Sequence, residues 1–255
     1  MFRSLCGRYM HDLIKSNMEI SLELRKVYKK SFFVGVLWSL AMIATLAFSI
    51  FTSSQIFYSV MELIMWLTLC IITTLFHELG HASASQDCNI KYNVICFGRR
   101  QKEQKKNTKK LWKWLLSDTK IEFWRPFFPF NVDYDDHIFE QVVIKDFLLV
   151  LRSGALVGIV LNISALLIII LSLIIFWLIE PSNYYWMLFL NNVKSSIYFA
   201  IICIIFQLLN FIPIYKKDRP LSDGAIIKSI KKQKKANKLD ISRQYVDIEL
   251  LKDRI

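Results

Sequence analysis

Two histidines and a glutamate stand within five positions of one another in TTLFHELGHASA (Thr73–Ala84): His77, Glu78 and His81. On a helix, residues i and i+4 share a face, so both imidazoles can reach one metal ion. The glutamate one step along can reach a water beside that metal. Zinc lowers the pKa of such a water towards about 7, and Glu78 can then take its proton as the water attacks a carbonyl. The pattern H-E-x-x-H is thus the chemistry of metal-assisted hydrolysis. Charged and ionisable groups are costly at membrane depth, and these follow directly on an apolar run. A metal and a water would make them tolerable there.

An open tetrahedral zinc site needs a third protein ligand. Only four histidines are present, and His11 and His137 lie in a basic arm and a basic loop. Acids are the better candidates. Asp87 follows His77 by ten residues, a spacing known from soluble zincins, but the glycine that turns their chain is Ala84 here. Asp223-Gly224, in NFIPIYKKDRPLSDGAII (Asn210–Ile227), puts a carboxylate at a tight turn. It can cap the helix running into AIIKSI, or it can serve as the ligand. Its placement on the same membrane face as HELGH favours the ligand role.

These groups must be positioned by membrane helices. Of the 255 residues 54% are hydrophobic, and apolar runs dominate roughly 31–76 and 147–214. That is an integral membrane composition. Residues 31–61 carry no charge, and the polar cluster Thr52-Ser53-Ser54-Gln55 divides them. We expect spans at about 32–52, 56–82, within 147–179, and about 196–212, with EPSNYYW (180–186) as a short outer loop. Glu62 lies near the outer end of the second span and is expected to snorkel to the interface. Ser153, Gly154, Ala155 and Gly158 form a small-residue face for close helix packing, and Asn162 should face the bundle. The fold class expected is all-α: a polytopic membrane protein of about four transmembrane helices with a basic cytosolic loop and tail.

The net charge of +12 can signal nucleic acid, but its distribution points elsewhere. Lys and Arg cluster in 1–30, 85–146 and 215–255, with 12 of them in the middle stretch. This follows the positive-inside rule and fits anionic lipid head groups; no nucleic-acid partner is expected. It places both termini in the cytosol of a multi-pass cell-membrane protein. No signal peptide is expected in the polar, basic first 30 residues. Within the loop, 98–110 reads as a solvated strip, whereas 111–116 and 121–130 read as interfacial, with Trp112, Trp114 and Trp124 at head-group depth and Pro126 and Pro129 excluding a regular helix. The five cysteines form no CxxC pair; Cys88 and Cys96, in this loop, could assist metal binding but read rather as spare, reduced thiols.

Taken together, these features resemble the site-2 protease family of intramembrane zinc metalloproteases, in a short form with no appended PDZ domain. HELGH matches the family's HExxH; Asn210 and Pro213 match its N-x-x-P; Asp223-Gly224 look like its Asp-Gly. RSGALVGIVLN (152–162) is similar to the segment opening the helix between the two motifs, with Ala155 in place of a proline. The family often places Asp-Gly about eight residues after the asparagine. Here Asp223 is thirteen after Asn210, and Asp218 stands at offset eight, followed by Arg219; an insertion such as KKDRP accounts for the difference. The resemblance implies a zinc endopeptidase acting in or beside a membrane-spanning segment of a membrane protein or a small exported or leader peptide. His77, His81 and Asp223 would bind Zn2+, with Asp218 and Asp87 as the alternatives for the third ligand, and Glu78 would be the general base. Asn162 and Asn210 are candidates to hold substrate or the oxyanion, and the 121–130 segment to hold an extended substrate. The expected division is a basic arm (1–30), a protease core (31–214, including the loop 85–146), and an Asp-Gly ligand segment with a basic tail (215–255). The rival reading is a non-catalytic membrane metal-binding or transport protein, or an accessory factor for peptide export.

Overall fold

The computed structural model describes residues 22–52, 55–88, 90, 92–97, 108–110, 120–123, 130–134, 144–179, 183–216, 219–220 and 222–237. Five helices occupy most of them: α1 (Leu22–Thr52), α2 (Gln55–Asp87), α3 (Ile144–Ile179), α4 (Asn183–Leu209) and α5 (Asp223–Asn237). Where no water is available, the backbone must satisfy its own hydrogen bonds, and a helix does so within one segment. Among the described residues, Pro213 and Pro220 lie between α4 and α5. A ring inside a helix would remove a donor and clash with the preceding turn.

Three helices have stretches long and apolar enough to cross a membrane: Glu23–Phe48, Ser59–Asp87 and Asp146–Ile179; α4 adds a shorter apolar stretch, Val193–Leu209. At 36 residues, α3 extends about 54 Å, well beyond a hydrocarbon core of about 30 Å. Burial is inverted relative to a soluble bundle. Leu63, Leu67, Leu171, Trp177 and Phe206 face outward, whereas Ser31, Ser39, Thr73, Ser153, Asn162 and Gln207 are buried. In lipid the apolar exterior costs nothing, and small or hydrogen-bonding residues hold the helices together.

Successive helices of the bundle alternate in direction. The α1–α3 pairs rise together: Ser31 Oγ donates to Val157 O at 2.8 Å and Ser39 Oγ to Ala165 O at 2.9 Å. The α2–α4 pairs also rise together, from Glu62 with Ser195, through the stacked Trp66 and Phe199 rings, to His77 with Gln207. Between α2 and α3 the order reverses: Thr73 meets Asn162, and His81 meets Val150. Thus the start of α1, the end of α2 and the start of α3 share one end of the bundle. There the Asp87 carboxylate accepts the Leu24 and Glu23 amides at 2.8 and 3.3 Å, satisfying orphan donors of α1's first turn. The Cys88 thiol faces the Asp146 carbonyl at 3.9 Å.

The frame is helical, as the apolar runs predict, with different bounds. α1 begins ten residues before the expected 32, and α2 continues past Ala84 to Asp87. α4 begins at Asn183, inside the segment expected as an outer loop, because NYYW extends the apolar run. The Ser195 hydroxyl donates to the Glu62 carboxylate, an inter-helix contact.

The apolar runs do not announce a sheet, yet the connection between α2 and α3 contains one. Its strands are β1 (Tyr92–Phe97), β2 (Thr108–Lys110), β3 (Lys120–Phe123) and β4 (Phe130–Tyr134), in the order β2-β3-β1-β4. β1 pairs parallel with β3 (Ile95 opposite Ile121) and antiparallel with β4 (Ile95 opposite Val132); β2 pairs antiparallel with β3. The all-α expectation therefore describes the membrane frame, and the 85–146 connection adds a small mixed sheet to it. Trp112, Trp114, Trp124, Pro126 and Pro129 lie outside the described residues, as do His11 and His137. A second strand pair, β5 (Tyr215–Lys216) with β6 (Arg219–Pro220), joins α4 to α5.

Candidate metal centre

Four helices meet around the His-Glu-x-x-His stretch: α2 carries it, and α3, α4 and α5 bring Val150, Gln207 and Asp223 to it. α2 brings His77, Glu78 and His81, all buried, with exposures of 8, 7 and 7%. One ligand atom from each lies within 4.8 Å of the others, so the group can hold a metal ion. α5 brings Asp223, 5% exposed, whose Oδ2 stands 3.6 Å from His77 Nε2 and 3.5 Å from His81 Nε2. The two Nε2 atoms are 3.0 Å apart. Zinc bonds of about 2.0–2.1 Å at tetrahedral angles separate neighbouring ligand atoms by about 3.3 Å. The three observed separations bracket that value.

The hydrogen bonds behind the imidazoles favour the same reading. His81 Nδ1 lies 2.7 Å from Val150 O. A carbonyl only accepts, so Nδ1 carries the proton and Nε2 keeps its lone pair. His77 Nδ1 lies 2.8 Å from Gln207 Oε1, which also accepts. With the proton on each Nδ1, both Nε2 lone pairs turn toward Asp223 Oδ2. Three electron-pair donors at this separation, out of water, repel one another unless a cation lies among them. Burial pushes the Asp223 carboxyl up, and a positive charge beside it, on a protonated His81 or His77 or on a metal ion in their place, pulls it down. Ionised, it is in the form that ligates a metal.

The helix approach that builds this cluster depends on missing side chains. A Cβ on Gly80 would lie 2.6 Å from Ser153 O, and one on Gly154 would overlap the His81 imidazole. α2 and α3 thus touch backbone to backbone beside His81. Of the small-residue face expected at Ser153, Gly154, Ala155 and Gly158, the first two make this contact, and Gly158 lies against Gln207 of α4.

Asp223 reaches the cluster because the chain between α4 and α5 doubles back. The thirteen-residue spacing from Asn210 is taken up by β5 and β6. Gly224 N then donates to Asn210 O at 2.7 Å, and Ser222 Oγ to Ile212 O at 2.5 Å. A Cβ on Gly224 would run into Phe211 O, so a side chain there would lift the turn off α4's end. Ser222 Oγ also accepts the Ala225 amide at 3.2 Å. Ser222 is thus the helix cap, a role that the sequence left open to Asp223.

The remaining candidates fall elsewhere. Asp87 caps α1, as described, and Asp218 lies outside the described residues. Asn162 is fully buried, with its amide donating to Gly158 O at 2.8 Å and Thr73 Oγ1 at 3.1 Å; Thr73 in turn approaches its Oδ1 at 3.4 Å. Both amide hydrogens have acceptors, and the residue ties α3 to α2 one turn before His77. Asn210 sits where α4 ends, its carbonyl holding Gly224. Gln207 is the residue that the sequence reading passed over. A single polar side chain near the end of an apolar helix was its only signal.

Comparisons of this chain with protein-family models, with curated proteins and with solved structures found no match.

Proposed function

We propose that this chain is an intramembrane zinc metalloendopeptidase of the site-2 protease type, crossing the membrane four times with both termini in the cytosol. The observation that carries the reading is the convergence of His77 Nε2, His81 Nε2 and Asp223 Oδ2, with Glu78 buried beside them. His77 and His81 are held as neutral imidazoles with Nε2 free, and Asp223 supplies an anionic oxygen. Bound there, zinc would act as a Lewis acid, polarising a carbonyl and acidifying a nearby water.

Glu78 adjoins His77 in sequence and is not needed as a ligand when Asp223 fills the third position. Its carboxylate would receive the proton of the attacking water and pass it to the leaving amine. Its burial among helices lowers the local dielectric, which strengthens every charge interaction with a developing oxyanion. The substrate class follows from location. The cluster lies between helices whose outer faces suit lipid, so the peptide bond it meets belongs to a membrane-spanning or membrane-associated segment. A helical substrate must unwind near the cluster first, because its carbonyls are otherwise hydrogen-bonded. The lysine-rich stretches beside this end of the bundle support its cytosolic placement.

The test is cleavage of membrane-spanning and leader-like peptides by the purified protein in lipid bilayers. The expected result is hydrolysis that stops on chelation and returns with zinc. Intact peptides together with zinc moving across the bilayer would replace this reading with a transport one.

A further inference from the structure

We propose that Gln207 is a positioning residue: its side-chain carbonyl, supplied by α4, sets the tautomer of His77 that leaves Nε2 open to a metal. The inference rests on the metal reading of the cluster and adds a residue to it.

Gln207 is 8% exposed, and its Oε1 is 2.8 Å from His77 Nδ1. His77 has two ways to be neutral. With the proton on Nδ1 it donates to Gln207, and Nε2 points unprotonated at His81 Nε2 and Asp223. With the proton on Nε2 it would donate to His81 Nε2 at 3.0 Å, and a metal would find that position closed. His81 cannot make this exchange without losing its bond to the Val150 carbonyl. The choice between an open and a closed pair of histidines therefore lies with the group behind His77.

Room for that group is built into α3. A Cβ on Gly158 would lie 2.8 Å from both Cδ and Oε1 of Gln207. The glycine lets an amide cross from α4 over α3 to α2. An amide can also turn end for end and offer N–H to Nδ1, which favours the closed pair. A carboxylate at the same position offers only acceptors. The same turn of α4 leads into Asn210, whose carbonyl holds Gly224 beside Asp223. One helix end thus steadies both His77 and the carboxylate ligand.

Two readouts test the proposal, neither of them peptide cleavage. The first is the 15N spectrum of His77 in the metal-free wild type, above the usual imidazole pKa of about 6.5. A protonated Nδ1 and bare Nε2 are expected; a proton resident on Nε2 overturns the proposal, whether or not metal binds. The second is zinc affinity by chelator competition for Gln207→Leu and Gln207→Glu. Loss of a partner behind a ligating histidine typically costs about 10–100-fold in affinity, and that loss is expected for Gln207→Leu. Gln207→Glu is expected to bind at least as tightly as wild type. Equal affinity in all three proteins, or equal weakening in both variants, would overturn the proposal. If Gln207→Leu does not fold, Gly158→Ala displaces the amide instead and should weaken zinc while leaving His81 Nδ1 protonated; unchanged affinity there overturns it as well.

Discussion

At the residue scale, His77, His81 and Asp223 are defined by what stands behind them as much as by what they face. The Val150 carbonyl and the Gln207 amide stand behind the imidazoles, whose Nε2 atoms lie 3.0 Å apart beside a carboxylate. Asp223→Ala should therefore lower zinc affinity by more than about 100-fold, a larger loss than removal of a partner behind a ligand; chelator competition measures it. Unchanged binding would point to ligands from elsewhere. Cys88 gives an independent check on the end of the bundle. Burial, with the Asp146 and Asp87 charges adding to it, pushes its thiol up to about 12. At pH about 8 it should alkylate on the order of a thousand-fold more slowly than an ordinary cysteine of pKa about 8.5, as site-resolved mass spectrometry would show. HELGH was legible in the sequence because the i, i+4 spacing alone places both rings on one face. Asp223 was legible only as an Asp-Gly turn on the same membrane side, and Gln207 had no pattern at all.

At the scale of elements, two close approaches hold the site: α2 on α3 at Gly80 and Gly154, and α5's first turn under the end of α4 at Gly224. Gly154→Val would press on the His81 ring. Overpacking of this kind costs about 1–3 kcal/mol, and here zinc content should fall together with thermal stability. Ser222→Ala removes the α5 cap, with an expected loss of about 1 kcal/mol and weaker zinc binding, because the first helical residue is Asp223 itself. Preserved zinc affinity in Ser222→Ala would show that the cap does not hold the ligand. The prolines marked where helices cannot run, and the apolar runs marked where they must. The sheet was not legible. Its strands are three to six residues long, lie in a lysine-rich connection and pair across large separations, as β1 does with β3 and β4.

For the whole molecule, the alternation of helix direction gathers the chemistry at one end. The first turn of α1, the last of α2 and the first of α3 meet around Asp87, Leu24 and Cys88. In a background without native cysteines, Lys26→Cys and Lys231→Cys should label from one side of the membrane and Met187→Cys from the other; all three native side chains are exposed. Labelling of Lys26→Cys and Lys231→Cys from opposite faces would break the four-crossing topology. An even count of crossings is what the charge clustering predicts, since lysines resist translocation. The pairing of helices needed the structure, because uniformly apolar spans carry little information about which face meets which neighbour.

The central claim separates metal holding from proton transfer: His77, His81 and Asp223 do the first and Glu78 the second. The most direct test is zinc content measured alongside peptide hydrolysis for Glu78→Gln, purified in bilayer beside wild type. The account predicts one zinc retained per chain and hydrolysis reduced to background. Hydrolysis that persists in Glu78→Gln, or a wild type that takes up no metal, would contradict it.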